Sequence, residues 1–197
     1  MMRKFKTDQR LQKITDVVKW RQFSLRVVME NIHDPHNVSA VFRTCDAVGV
    51  PKINLLYHIE SFPRISRTSS SSANKWIEIE KYKDVKVCFD DLRKQGFKIY
   101  SSMLNKNAIN LYDIDLTQKV ALVFGNEKRG VSPEAEKYAD ETFYIPMKGM
   151  IQSLNVSVAA AVTLYEAQRQ RMLKGLYNQS ELPQVEIEKL IDSWCEK

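Results

Sequence analysis

Glycine is scarce in this chain: 197 residues hold six of them. No G-x-G-x-x-G turn and no G-x-x-x-x-G-K-[ST] loop occurs, so the usual dinucleotide and triphosphate signatures are absent. Cysteine is equally thin. Cys45, Cys88 and Cys195 lie far apart without a C-x-x-C pair, and reduced thiols in a cytoplasmic setting are the expectation. His33 and His36 form an H-x-x-H, but His58 is the only other histidine, and no metal site is expected from so few ligands. No apolar run is long enough to span a bilayer. The opening MMRKFKTDQRLQK has no apolar core of a signal peptide, so neither membrane association nor secretion is expected. Asn37-Val38-Ser39, Asn155-Val156-Ser157 and Asn178-Gln179-Ser180 fit the glycosylation sequon, which carries no meaning without secretion.

What is present is the composition of one globular domain, 44% hydrophobic and 27% charged. Short β-rich runs recur at 25–29, 53–57, 76–80, 97–101, 120–124 and 142–145. Helical spacing covers 8–21, 38–48, 84–95, 133–139, 155–174 and 183–195. This alternation predicts an α/β fold with a mainly parallel sheet. The expected division is a basic helical extension over 1–22, a central domain over 23–174 and a C-terminal helical extension over 175–197.

Charge is unevenly spread. Residues 1–26 carry eight Lys or Arg and two acids, a surplus equal to the net +6 of the whole chain. A basic arm on a neutral body points to polyanions, nucleic acid first; a soluble amphipathic helix is the plainer alternative. The loop SFPRISRTSSSSANK (61–75) adds Arg64, Arg67 and Lys75 in a serine-rich setting; it reads as a basic loop near a ligand or as an ordinary solvated connection.

Three stretches concentrate polar residues beside apolar ones. In ENIHDPHNVSAVFRTCDAVGV (30–50), Asn37 reads as a helix cap. Arg43, two turns into that helix, opposes the dipole unless a phosphate or Asp46 answers it. Cys45, imaginable as a nucleophile, falls on the apolar face and reads better as a buried, inert thiol. In VALVFGNEKRGVSPE (120–134), an apolar strand ends at Gly125, where a ligand would sit in a parallel sheet. In YIPMKGMIQSLNVSVAAAVTLYEAQRQR (144–171), no charge appears from Gly149 to Tyr165, and the crowded Ser and Asn side chains need partners. The Asn-Val-Ser of 37–39 returns at 155–157, each time opening a helix. If the two openings meet, they form a polar, electropositive pocket.

These three motifs, in this order, resemble those of the SPOUT superfamily of RNA methyltransferases, in its TrmH-type ribose 2′-O branch. The resemblance covers roughly residues 8–178. It implies an α/β fold with helices on both sheet faces and a deep C-terminal trefoil knot, flanked by N- and C-terminal helices. It implies S-adenosylmethionine as methyl donor, without a metal, and a homodimer. Residues matching the branch's donor site are Ser102, Gly125, Ile145, Met150 and Leu154. Those matching its catalytic positions are Asn37, Arg43, Glu127, Ser153 and Asn155. Arg169 and Arg171 match positions of RNA contact, and Arg10 joins them from the basic arm. The serine-rich TSSSSANKW departs from the glycines common in relatives.

The resemblance casts Arg43 as base or activator. A guanidinium holds its proton tightly, so stabilising the alkoxide and fixing a phosphate is the alternative. The terminal extensions resemble those of branch members that methylate guanosine 18 in the tRNA D-loop. The other readings are methylation of another tRNA or rRNA nucleotide, or a non-catalytic RNA-binding protein on the same scaffold. Calorimetry with S-adenosylmethionine separates enzyme from scaffold.

Overall fold

In a computed structural model describing residues 2–63 and 73–197, the longest apolar runs form the middle of one sheet. Leu25–Glu30 (β1) and Val120–Phe124 (β6) are buried along their whole length, as strands covered on both faces must be. Around them stand Lys52–Leu56 (β2), Glu78–Tyr82 (β3), Lys98–Ser102 (β4), Ile109–Asn110 (β5) and Glu141–Tyr144 (β7). Among the described residues these seven strands form one sheet of order β3-β2-β1-β6-β4-β7-β5, with every pairing parallel.

Alternate residues of β1 feed two cores. Val27 and Met29 join Val41 and Phe42 of Pro35–Val48 (α2) and Ala160 and Leu164 of Val156–Leu173 (α5). Val28 joins Cys88 and Phe89 of Val85–Lys94 (α3) and Ala135 of Pro133–Tyr138 (α4). Helices therefore cover both faces, as expected. A third, smaller cluster is separate: Ile14 and Val18 of Asp8–Lys19 (α1) lie against Ile187, Ile191 and Trp194 of Gln184–Glu196 (α6).

Three local readings change. The strand expected at 76–80 begins at Glu78, leaving Trp76 outside it. β5 is two residues long, too short to leave a periodic signal. The cap of α2 is Asp34, whose carboxylate accepts from His36 N at 2.8 Å with Pro35 in the first turn. Pro35 suits that position because it has no N–H to satisfy, so Asn37 lies inside the helix and its side chain is free for other work. Gly49 ends α2 with φ +83°, and a Cβ there would meet the Trp20 carbonyl oxygen at 2.8 Å; only glycine allows both. Of the serine-rich loop, Arg64 and Arg67 lie outside the described residues.

Candidate active site

The chain runs outward from β1 to β2 and β3, then crosses to β4 on the other side of β1. Such a reversal opens a crevice beyond the carboxyl ends of the strands. A cleft of about 350 Å³ lies there, walled by Phe124, Ile145 and Leu154 and edged by Ser102, Glu127 and Ser153. Gly125 lets the wall close: a Cβ on it would lie 2.3 Å from the Gly130 carbonyl carbon and the Val131 nitrogen. Asn126 pins the turn that follows. Its Oδ1 accepts from Lys128 N and Arg129 N, and its Nδ2 donates to the Asn31 carbonyl at 2.7 Å.

Asn31 is the one described non-glycine residue with positive φ, at 49°. Asparagine tolerates that region because its side chain bonds locally. Here Oδ1 accepts from the backbone N–H groups of His58, Ile59 and Glu60. Beside it, buried Glu30 accepts from Ser132 N and pairs with the His58 ring at 2.8 Å. Asn31, Asn126 and Glu30 escape a reading from sequence spacing, since their partners are distant in the chain. The Asn-Ile-His-Asp-Pro run was a usable signal for Asn31, placed where strand gives way to turn.

Two of the motifs meet at Glu127, and the third joins them through Asn37. The Glu127 carboxylate accepts from Asn37 Nδ2 at 2.8 Å, His33 N at 2.9 Å and Asp34 N at 3.1 Å. Asn155 Nδ2 donates to Asn37 Oδ1 at 3.1 Å, while Asn155 Oδ1 accepts from Ser157 N and caps α5. The two Asn-Val-Ser openings thus touch, though only the second asparagine is a cap. Burial alone would raise the Glu127 carboxyl. The Asn37 amide and the His33 and Asp34 N–H groups outweigh it and hold Glu127 below its ordinary value.

Arg43 is exposed on α2 and has no hydrogen bond or ion pair among the described residues. Asp46, the acid one turn on, is engaged by buried Arg21 at 2.5 Å, so Arg43 is not neutralised by its own helix. Cys45 is buried and its thiol is pushed up by desolvation, which leaves it inert. Among the described residues no cluster of His, Cys, Asp or Glu is arranged to hold a metal. No described helix is long and apolar enough to cross a membrane.

Of the expected donor-site residues, Ser102, Gly125, Ile145 and Leu154 line the cleft. Met150 does not. It is 99% exposed, and Met147 lines the cleft in its place. Ser153 lines the cleft as well, with no side-chain hydrogen bond among the described residues. Among the RNA candidates, Arg10 and Arg169 are exposed, Arg169 in a two-bond pair with Glu166. Arg171 must be reassigned. It is fully buried and donates to the carbonyls of Leu116, Ser24 and Gln118 and to the side chains of Gln22 and Ser24. No phosphate can reach a guanidinium so enclosed.

The basic arm is also less free than its charge suggests. Arg3 pairs with Glu188 and Asp192 of α6, and Arg21 and Arg26 are buried against Asp46 and Glu80. Lys4, Lys6, Arg10, Lys13 and Lys19 remain as its outward cations.

Parallel sheet, reversal crevice and amide-linked motif loops define an α/β protein with a cleft beyond the carboxyl ends of its strands. The chain belongs to the SpoU rRNA methylase family, whose model matches residues 24–165. It is similar to the tRNA (guanosine(18)-2′-O)-methyltransferase of Thermus thermophilus, 43% identical over 192 residues and 98% of both chains. The crystal structure of the Aquifex aeolicus TrmH/SpoU tRNA modifying enzyme superimposes with a TM-score of 0.89 at 40% identity, covering 96% of each chain. The Streptomyces viridochromogenes SpoU methyltransferase AviRb, solved with the cofactor AdoMet, gives 0.68 at 25% identity over 79% of this chain and 62% of its own.

Proposed function

We propose that this protein methylates the ribose 2′-OH of guanosine 18 in tRNA, with S-adenosylmethionine as donor. The observation that carries the reading is the Glu127–Asn37–Asn155 chain, which ties three distant motifs together at the mouth of the cleft. It occurs in a chain 43% identical, end to end, to a protein named for that reaction. The cleft suits the donor chemically: apolar Phe124, Ile145 and Leu154 for an adenine face, and anionic Glu127 for a cationic sulfonium. When bound, S-adenosylmethionine supplies an electrophilic methyl group.

The residues divide the work. Glu127 spends its lone pairs on Asn37, His33 and Asp34 and is held at low basicity, so it positions α2 and does not take the substrate proton. Arg43 fixes a substrate phosphate and stabilises the negative charge that grows on the 2′ oxygen as its proton leaves to solvent water and the oxygen takes the methyl group. Ser153, at the cleft edge with its hydroxyl uncommitted, borders the reacting centre. Arg10 and Arg169 hold the tRNA body.

The active unit is a homodimer. α5 leaves Val158, Tyr165 and Met172 exposed along one face, with Met150 and Ile151 in the loop before it; a second copy would cover this apolar surface. Sedimentation of an active preparation solely as a 22.9 kDa monomer would refute this. The segment after β7 threads the trefoil knot of the resemblance. In support, α5 returns to pack on α2 beside β1, three strands from β7. The terminal helices α1 and α6 form an extension distinct from the methyltransferase domain, and the protein works in the cytoplasm. Incubation of a tRNA transcript with labelled donor, followed by mass-spectrometric mapping, tests the activity. The methyl group is expected on the ribose of guanosine 18; transfer to another nucleotide, or none, rejects the assignment.

A further inference from the structure

Away from the cleft, a cavity of about 170 Å³ opens where α1, α2 and α6 meet, lined by Arg10, Lys13, Ile14, Asp46, Trp76 and Trp194. Two tryptophans form its aromatic wall. Trp76 and Trp194 lie 4.8 Å apart between ring centroids, tilted by 46°. Cations crowd these rings. Arg10 and Lys75 approach the Trp76 face at 5.3 Å, and buried Arg21 approaches Trp194 at 5.1 Å. Asp46, the acid in the lining, is already engaged by Arg21. Arg21 Nε nevertheless remains buried without a partner. Lys197, over both rings, is held below the ordinary lysine value by burial and by the charges of Arg21 and Lys75. Four cations thus stand over the two rings, with one acid in the cavity lining.

We infer that this cavity is a stacking subsite for an unpaired nucleobase of the RNA substrate, with Arg10 and Lys13 on the flanking phosphates. The inference rests on the tRNA reading proposed above. Three features select this occupant. A base offers a flat π face to Trp76, taking the place of the Arg10 side chain, which swings from the ring to a phosphate, and base–aromatic stacking tolerates any base. The rim cations supply the charge that phosphates answer. The cavity also adjoins the active face of α2: Asp46 stands one helical turn, about 4.5 Å of rise, beyond Arg43. A strand whose phosphate meets Arg43 can lay a neighbouring base in the cavity. A plain hydrophobic joint between α1 and α6 would need neither the rim cations nor an opening.

The chain holds three tryptophans, which gives a direct readout. In a Trp20→Phe background only Trp76 and Trp194 emit, and both line the cavity. Titration with a tRNA transcript should quench their emission saturably, with no methyl donor added. Trp76→Leu should weaken tRNA binding by about 5- to 150-fold, the range of one stacked base, without flattening its dependence on salt. Trp76→Phe should restore most of the affinity. Lys13→Gln should instead lower the slope of log K against log salt by about one unit. Unchanged tryptophan emission at saturating tRNA, in protein that still binds and methylates it, overturns the subsite and leaves the proposed function standing. So does wild-type affinity in a Trp76→Leu variant that melts as wild type does. If the wild-type protein neither binds nor methylates tRNA, the functional reading fails and the subsite fails with it.

Discussion

Replacing Arg171 tests whether arginine in the tail of α5 serves RNA or the fold. Its guanidinium is fully buried and makes five hydrogen bonds, three to backbone carbonyls at 2.7 to 3.2 Å, with Glu181 at 3.5 Å. It ties α5 to the turn before β1 and to the turn before β6. Arg171→Met keeps the stem but leaves the Leu116 and Gln118 carbonyls without their donor and Glu181 without its cation. Removing one partner from a buried charged network costs about 3–5 kcal/mol. For a chain of this size each kcal/mol moves the melting temperature by roughly 2–4 °C, so a fall of roughly 6–20 °C is expected at matched protomer concentration. Circular dichroism melts measure that fall. Filter binding of tRNA from low to high salt, below the variant's transition, measures the charge contacts. The variant should keep the wild-type salt slope, because a buried guanidinium meets no phosphate. A melt within 2 °C of wild type, together with a slope reduced by about one unit, would refute the structural assignment.

Arg43→Lys keeps the charge but loses the planar fork. It should lower kcat by about 10²–10³-fold while tRNA affinity changes little, and near-normal turnover removes Arg43 from the chemistry. Glu127 is held below its ordinary value of 4.5, so the stability it contributes is present above that pH and is lost as pH falls through the depressed value. Glu127→Gln should therefore flatten the decline of stability in urea titrations between neutral pH and pH 3; an identical acid limb in both proteins argues against the buried hydrogen-bond network. Replacing Lys4, Lys6 and Lys19 by Gln should reduce the salt slope of tRNA binding with the melt unchanged. Arg3→Gln should do the reverse, lowering stability by at most about 1 kcal/mol, since its pairs are partly exposed.

The sequence shows the frame of this molecule more readily than its joints. Val120–Phe124 and Leu25–Glu30 announce themselves as apolar runs, and the helices follow from apolar spacing and from caps such as Ser132 with Pro133. Trp-Ile-Glu-Ile-Glu alternates as a strand would from Trp76 onward, yet pairing with β2 starts at Glu78. Arg171 points to RNA through the resemblance alone. Nothing local distinguishes Arg169, which is exposed, from Arg171, whose five acceptors come from residues 22–24 and 116–118. Met150 presents the same difficulty: its side chain is exposed, and an apolar residue in a polar loop carries no mark of the direction it faces. Asn37 is legible as important, but the cap it suggests is Asp34. The Asp-Pro pair three residues earlier held the capping signal, and the asparagine amide was left over for a contact 118 residues away.

That leftover amide explains why the two helix openings share a residue type. Asparagine carries a donor and an acceptor on one rigid plane. Ionised Glu127 only accepts, so Asn37 must turn Nδ2 toward it and Oδ1 away. Oδ1 then requires a donor, which fixes the Nδ2 of Asn155 in place and leaves the Oδ1 of Asn155 to cap α5 at Ser157. Each orientation is forced by the one before it. Aspartate at either position would set two acceptors face to face, and a hydrophobic residue would break the sequence of constraints. The ionised state of one carboxylate is thereby converted into a fixed register between α2 and α5, with no cationic side chain spent on it. Arg43 lies six residues beyond Asn37, about 9 Å along the same helix. Its position is set by the relay, while its charge stays uncommitted for a phosphate.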